Sequence, residues 1–312
     1  MNDAGGPSEL ARSSPSVVAI GGGHGLAATL RALRLYAGSI SAVVSVADDG
    51  GSSGRLRDVM PDLPAPGDVR RCLSALGDPT VPLTAALEHR FGGDDEIAGH
   101  ALGNLLLVAL TEEIGSFGAA VDELGRSIGA AGRVLPATEV PVTLVARLTG
   151  QGGPSAGPAV HGQVAVQSSA DIATVSLEPG DARSPSAVSE AITEADQVVI
   201  GPGSLFTSVL AAAVAPDVRD ALWKTAGQRV YVANLGPQVP ETGGFTLADH
   251  VEALLDHDIP VDLVLCPSGG GDPSGRTVLG ISVQERPMAA PGRRVHDPAL
   301  LAAALREVLP AA

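Results

Sequence analysis

Apolar residues fall in short β-branched runs, set apart by glycine-rich polar turns and by stretches of helical spacing. Residues 17–20, Val-Val-Ala-Ile, form the first run and read as a buried strand. Gly21-Gly22-Gly23-His24-Gly25 follows, a turn that side chains would block. Leu26, Leu30 and Leu33 then repeat at helical spacing as far as Tyr36. A second run, 40–46, completes strand–helix–strand. The spacing predicts a loop over 47–55, a connector over 61–67 with three prolines, and helices over 68–76, 82–91, 99–114 and 117–128.

From Arg133 the period changes to alternation through Val134, Val140, Val142, Leu144 and Leu148, and again over 164–166 and 172–177. A β-rich insertion is therefore expected over about 133–179, with a hairpin or loop at 149–158. Then βα alternation resumes. Helices are predicted over 186–195, from 204 to about 214, over 246–256 and over 297–309. Strands are predicted at 197–200, 229–235, 261–266 and 278–283, with a loop at 268–275. The pattern is that of an α/β protein with a mostly parallel, doubly wound sheet. Residues 16–312 are expected to form one nucleotide-binding domain behind a polar, disordered tail at 1–15.

Composition narrows the partners. With 2% aromatic residues, the core has to be aliphatic. The net charge of −15 argues against nucleic acid as a general partner but not against a phosphorylated small molecule. Screening acts over about 8 Å at physiological salt, so local N–H and arginine groups decide that question. No apolar run approaches the roughly 20 residues of a membrane span, and no signal peptide is visible, so the expected place is the cytoplasm. Cys72 and Cys266 read as two buried thiols.

Candidate chemistry clusters at the turns. Gly21 to Gly25 opens a helix, where free N–H groups and the helix dipole favour a phosphate. Gly23-His-Gly-Leu-Ala-Ala28 also fits a relaxed dinucleotide fingerprint, which keeps NAD as one reading. Asp48 and Asp49, at the end of the second strand, suit either a ribose or Mg²⁺. Gly51, Ser52, Ser53 and Arg55 suit a diphosphate clamp, and Arg70 adds a counter-charge. His100, Gly103 and Asn104 share a helix stripe, with the glycine leaving room for a ligand. Gly201, Gly203 and Ser204 form a second cradle, and Asn234 at a strand end suits a base or sugar edge. Gln238, Glu241 and Thr242 read as loop polarity.

In order along the chain stand Gly21-Gly-Gly-His-Gly, Val46-Ala-Asp-Asp-Gly-Gly-Ser-Ser-Gly-Arg-Leu-Arg57, Pro66-Gly-Asp-Val-Arg70, Gly99-His-Ala-Leu-Gly-Asn104, Gly201-Pro-Gly-Ser-Leu-Phe-Thr-Ser208 and Gly244-Phe-Thr-Leu-Ala-Asp-His250. This series resembles the bacterial gluconeogenesis factor family, relatives of the 2-phospho-L-lactate transferase of deazaflavin coenzyme biosynthesis. The chain departs from the family pattern at His24, over Leu235–Thr242 and at Phe245. The resemblance implies a cytoplasmic Rossmann-like regulator that binds a UDP-sugar such as UDP-N-acetylglucosamine. It implies a role in cell shape and wall precursor supply on gluconeogenic carbon, with homo-oligomers and regulatory protein partners. The alternative it implies is a Mg²⁺-dependent phospholactyl transferase.

Overall fold

The structure is a computed structural model that describes residues 14–150, 157–268 and 277–310. Most of the expected tail, the loop at 268–275 and part of the 149–158 stretch lie outside the described residues. Eleven strands are described: β1 (Ser16–Gly21), β2 (Ser39–Val44), β3 (Arg133–Pro136), β4 (Thr143–Leu148), β5 (Ala159–His161), β6 (Ile172–Glu178), β7 (Gln197–Ile200), β8 (Gln228–Val232), β9 (Leu263–Pro267), β10 (Thr277–Val278) and β11 (Ile281–Arg286). The helices are α1 (Gly23–Leu33), α2 (Gly51–Val59), α3 (Pro66–Leu76), α4 (Pro82–Ala86), α5 (Leu102–Ile114), α6 (Phe117–Ser127), α7 (Gln163–Gln167), α8 (Ser186–Glu194), α9 (Ala211–Ala213), α10 (Pro216–Lys224), α11 (Leu247–Asp256) and α12 (Pro298–Glu307).

The main sheet has eight strands in the order β10-β11-β9-β8-β7-β1-β2-β3. Every pairing is parallel except β10 with β11. Helices cover both faces, as the alternating pattern predicts. β1 and β7 lie at the centre, and Val17–Ile20 and Val198–Ile200 are at most 2% exposed. That is why these runs are apolar throughout rather than alternating. Leu26, Leu30 and Leu33 of α1 are fully buried against the sheet, each stabilising the fold by roughly 1.5–3 kcal/mol.

From β1 the chain builds outward through β2 to β3, and then returns to build β7, β8 and β9 on the other side. The order therefore reverses between β1 and β7, and in open α/β sheets ligands bind outside the carboxyl ends of strands at such a point. Both glycine turns leave the sheet there.

Several readings differ from expectation: residues 164–166, expected as strand, lie in the short helix α7, and the helix expected over 82–91 is the shorter α4. Arg133–Pro136 pairs with β2 and belongs to the main sheet, so the small antiparallel sheet, β5-β4-β6, spans 143–178. The predicted loop at 47–55 turns into a helix from Gly51, because tertiary partners bury Ser52 and Ser53. An extra helix, α10, follows Ala215, started by Pro216 at its first position.

The small sheet packs on α11 through β6. His257 ties the two together: its Nε2 accepts from Val175 N at 2.8 Å, and its Nδ1 donates to the Ala253 carbonyl at 2.6 Å. Both bonds need the neutral ring, and burial holds its pKa below the ordinary value. α11 itself opens with a reciprocal Thr246–Asp249 capping box. Cys72 and Cys266 are both buried.

Candidate functional site

The two glycine turns touch. Gly25 lies so close to the Pro202 carbonyl that no Cβ would fit. Gly22 serves a similar end, since a Cβ there would stand 2.5 Å from Asp68 Oδ2. The Asp68 carboxylate accepts the Gly23 N–H. Here the glycines admit the protein's own groups to the turn. Gly21 ends β1, and Gly201 N donates to the Ile20 carbonyl at 3.0 Å, so both sit in the sheet behind the cleft.

In front of the turns lies a polar cavity of about 330 Å³. Its floor is Gly22, Gly23, His24, Gly25, Gly203 and Ser204, and its walls include Asp48, Asp68, Arg71, Gln163, Gln167, Thr207, Ser208 and Gln238. A second compartment of about 230 Å³ adjoins it and shares Asp48 and Arg71. The second is lined also by Gly50, Gly51, Ser52, Ser53, Gly67, Arg70, Arg90 and Asn104. Gly67 allows this closeness, because a Cβ there would meet Ser53 Oγ at 2.5 Å and Asp48 Oδ2 at 2.8 Å.

Electrostatics centre on Asp68 and Arg71, joined at 2.7 Å. Burial pushes the Asp68 carboxyl up to about 6; Arg71 opposes that shift and Asp48 adds to it. The Arg71 charge, with burial, lowers the His24 pKa. Asp48 and Asp68 are thus the two carboxylates facing the cleft. They suit Mg²⁺ in the manner of nucleotide sites, where one or two carboxylates share the ion with ligand phosphates. Among the described residues no cluster of three or more His, Cys, Asp or Glu side chains is poised to hold a metal alone.

Several sequence expectations land elsewhere. Asp49 does not pair with Asp48 toward one ion, because its Oδ1 accepts from Val164 N at 2.9 Å at the start of α7. Arg55 donates to the Ala98 carbonyl at 2.7 Å and lines, with Asp49, an open depression of about 500 Å³ outside α2. The reason is the helix: Arg55 stands two residues, or ~200°, around from Ser53. Arg70 is buried, paired with Glu88 at 2.8 Å, and its stem fills the space that Gly103 leaves. The guanidinium common to both compartments is that of Arg71.

His100 precedes α5 instead of riding on it, yet it still converges with Asn104. Ser52 Oγ lies 3.0 Å from His100 Nδ1 and accepts from Asn104 Nδ2 at 3.0 Å. Asn234 has its amide engaged: it accepts from Gly203 N at 3.0 Å and donates to Gly203 O at 2.8 Å and Gln238 Oε1 at 3.2 Å. It shapes the second turn and is not free to read a base.

Glu241 is far more than loop polarity. It is 2% exposed, accepts from Phe206 N at 2.7 Å and Thr207 N at 3.2 Å, and takes the Thr207 hydroxyl at 2.8 Å. These bonds cap the π-helical segment Leu205–Leu210, and burial raises the carboxyl pKa.

Fold and site together define a Rossmann-like α/β protein with a polar cleft between two glycine turns. A family model described as 2-phospho-L-lactate transferase CofD matches residues 17–270. The "Gluconeogenesis factor" of Halalkalibacterium halodurans is 40% identical over 243 residues, covering 78% of this chain and 73% of that protein. A Mycobacterium tuberculosis protein described as "Putative gluconeogenesis factor" is 42% identical over 304 residues, covering 93% of this chain and 89% of its own. A crystal structure of a UPF0052 family member from Bacillus halodurans superposes with a TM-score of 0.83 at 34% identity, covering 93% of this chain and 98% of that one. The chain belongs to the gluconeogenesis factor family, within the wider CofD family. No helix among the described residues is long and apolar enough to cross a membrane.

Proposed function

We propose that this protein binds a nucleotide sugar of the UDP-N-acetylglucosamine type and acts as a regulator. In that role it supports cell shape and wall precursor supply when cells grow on gluconeogenic carbon, working through protein partners in the cytoplasm. The observation that carries the reading is the character of the cleft at the switch point. Its lining combines turn N–H groups, hydroxyls, three glutamines and Arg71, with no Phe, Tyr or Trp among the described lining residues. Such a surface suits phosphates and sugar hydroxyls and offers no flat apolar slot.

In this reading the diphosphate lies between the Gly22–Gly25 turn and Ser52–Ser53, with Arg71 as counter-charge. Gln163, Gln167 and Gln238 face the sugar or base. Asp48 and Asp68 hold a ribose hydroxyl or Mg²⁺. The ion would neutralise phosphate charge beside two carboxylates that otherwise repel an anion.

A second reading is a Mg²⁺-dependent phospholactyl transferase. The family model's description and the Asp48–Asp68 pair favour it, since phosphoryl transfer rests on positioning and charge neutralisation. Here Arg71 and the turn N–H groups would orient the donor's diphosphate. The scarcity of aromatic side chains to stack on a deazaflavin speaks for the regulator first.

Calorimetric titration with UDP-N-acetylglucosamine, with and without Mg²⁺ and against GDP and NAD as competitors, separates them. Selective binding of the UDP-sugar without turnover is the expected result. Preference for GDP, strengthened by Mg²⁺ and followed by product from a phospholactyl donor, supports the transferase instead.

A further inference from the structure

We propose that α7 is a strap across the cleft, that Asp49 is its latch, and that Asp49 thereby positions Gln163 and Gln167 to select the part of the guest beyond the diphosphate. This deepens the nucleotide-sugar reading and rests on it for the identity of the guest. α7 has five residues, too few to hold a helix alone, so its place depends on what tethers it. At its start, Asp49 Oδ1 accepts from Val164 N at 2.9 Å. Gly162, just before it, has φ 93° and leaves no room for a Cβ, because the Asp49 carboxylate fills that space. Val164 packs over Gly50, where a Cβ would meet its Cγ2 at 3.0 Å. On the other side, Gln163 Nε2 donates to the Thr207 carbonyl at 3.2 Å, and Val166 is fully buried. Asp49 follows β2 and Thr207 follows β7, so α7 is anchored on both sides of β1.

Asp49 does this without lining the cleft itself. It borders the outer depression around Arg55 and neither cleft compartment. Gln163 and Gln167 do line the cleft, and among the described residues of the 143–178 insertion no others do. The small sheet therefore reaches the guest through α7. The bond to Thr207 orients the Gln163 amide and leaves Oε1 to accept an N–H or O–H. A fully ionised phosphate only accepts, so this atom matches a nucleoside or sugar, whose hydroxyls and N–H groups donate. A latch and an ion ligand differ in what they need. An ion calls for the carboxylate charge, whereas the Val164 N–H calls only for an oxygen in that place.

The test compares Asp49→Asn, which keeps an oxygen there, with Asp49→Ala, which does not. In the full chain without ligand, hydrogen exchange of the Val164 and Val166 amides should speed at least about fivefold in Asp49→Ala and stay within about twofold of wild type in Asp49→Asn. Amides of β4 should be unchanged in both, which shows that the variants fold. In calorimetry, Asp49→Ala should weaken UDP-N-acetylglucosamine about tenfold and inorganic pyrophosphate less than about twofold, with the Mg²⁺ dependence unchanged. Asp49→Asn should bind both as wild type does. In a double-mutant cycle, Asp49→Ala should add less than about twofold once Gln163→Ala and Gln167→Ala are in place.

Asp49→Asn as damaging as Asp49→Ala, or a loss of Mg²⁺ dependence in either, overturns the proposal, because the charge then matters and not the bond. Equal weakening of pyrophosphate overturns it too, as does an additive cycle or α7 exchange indifferent to Asp49→Ala. If the exchange pattern is as described and no nucleotide sugar binds, the latch stands and the nucleotide reading falls alone. If the nucleotide sugar binds and Asp49→Ala changes neither its affinity nor the exchange, this inference falls alone.

Discussion

The two glycine turns share a position, each leading from a central strand into a helical segment, yet the protein finishes them differently. The second turn is closed from within. Asn234 binds both the N–H and the carbonyl of Gly203, and Glu241 covers Phe206 N, Thr207 N and the Thr207 hydroxyl. Few of its polar groups remain for a guest. The first turn also meets a carboxylate, that of Asp68, but this one faces the cleft, pairs with Arg71 and titrates near 6. A glycine turn at a sheet edge is thus not by itself a phosphate cradle. What matters is whether the helix N–H groups are already held and whether their partner can change its charge.

The largest expected effect breaks the second turn. Glu241→Ala strands two buried N–H groups and a hydroxyl, and should cost about 3 kcal/mol or more in urea unfolding. A loss below about 1 kcal/mol would mean that the cap is replaceable and the contrast between the turns is overstated.

Next comes the first turn's carboxylate. Its folded pKa is raised by burial, from 3.8 to about 6. The stability it contributes is therefore fully present below the unfolded value and lost as pH rises through about 6. The difference between wild type and Asp68→Asn, followed from pH 4 to pH 8, should change by on the order of 2–3 kcal/mol across that window. A difference that stays flat with pH would show that Asp68 is not desolvated in the way described.

The smallest effect is on affinity. Arg71→Ala should weaken UDP-sugar binding roughly tenfold, while Asn234→Ala, which acts only through the shape of the second turn, should weaken it less. The reverse ranking would exchange the roles of the two turns.

Much of the fold was legible because long apolar runs and glycine turns are local signals. The strand order, and with it the reversal point between β1 and β7, was not, because it depends on pairings between segments far apart in the sequence. α2 was not legible, since Gly-Ser-Ser-Gly reads as a loop and becomes helical only when His100 and Asn104 satisfy Ser52. β3 was assigned to the insertion because its parallel partner β2 lies about ninety residues earlier, which periodicity cannot reveal.

Of the candidate site, the structure brings the turns, Asp48, Ser52, Ser53, His100 and Asn104 near one another. Asp68 was taken only as a helix start, and its reach to the first turn depends on tertiary placement. The choice between Arg70 and Arg71 did carry a signal. Arg70 shares a helix stripe with Leu73, both buried, whereas Arg71 shares one with Asp68 and Ser74. Reading that stripe would have turned Arg71 toward the cleft.

The most direct test of the central claim is a crystal structure of the protein with UDP-N-acetylglucosamine and Mg²⁺. The account predicts the diphosphate between the Gly22–Gly25 turn and Ser52–Ser53, within hydrogen-bond reach of Arg71. Diphosphate at the opposite end of the sheet, such as the cavity beside Gly38 and Ser39, or at the depression around Arg55, would contradict it.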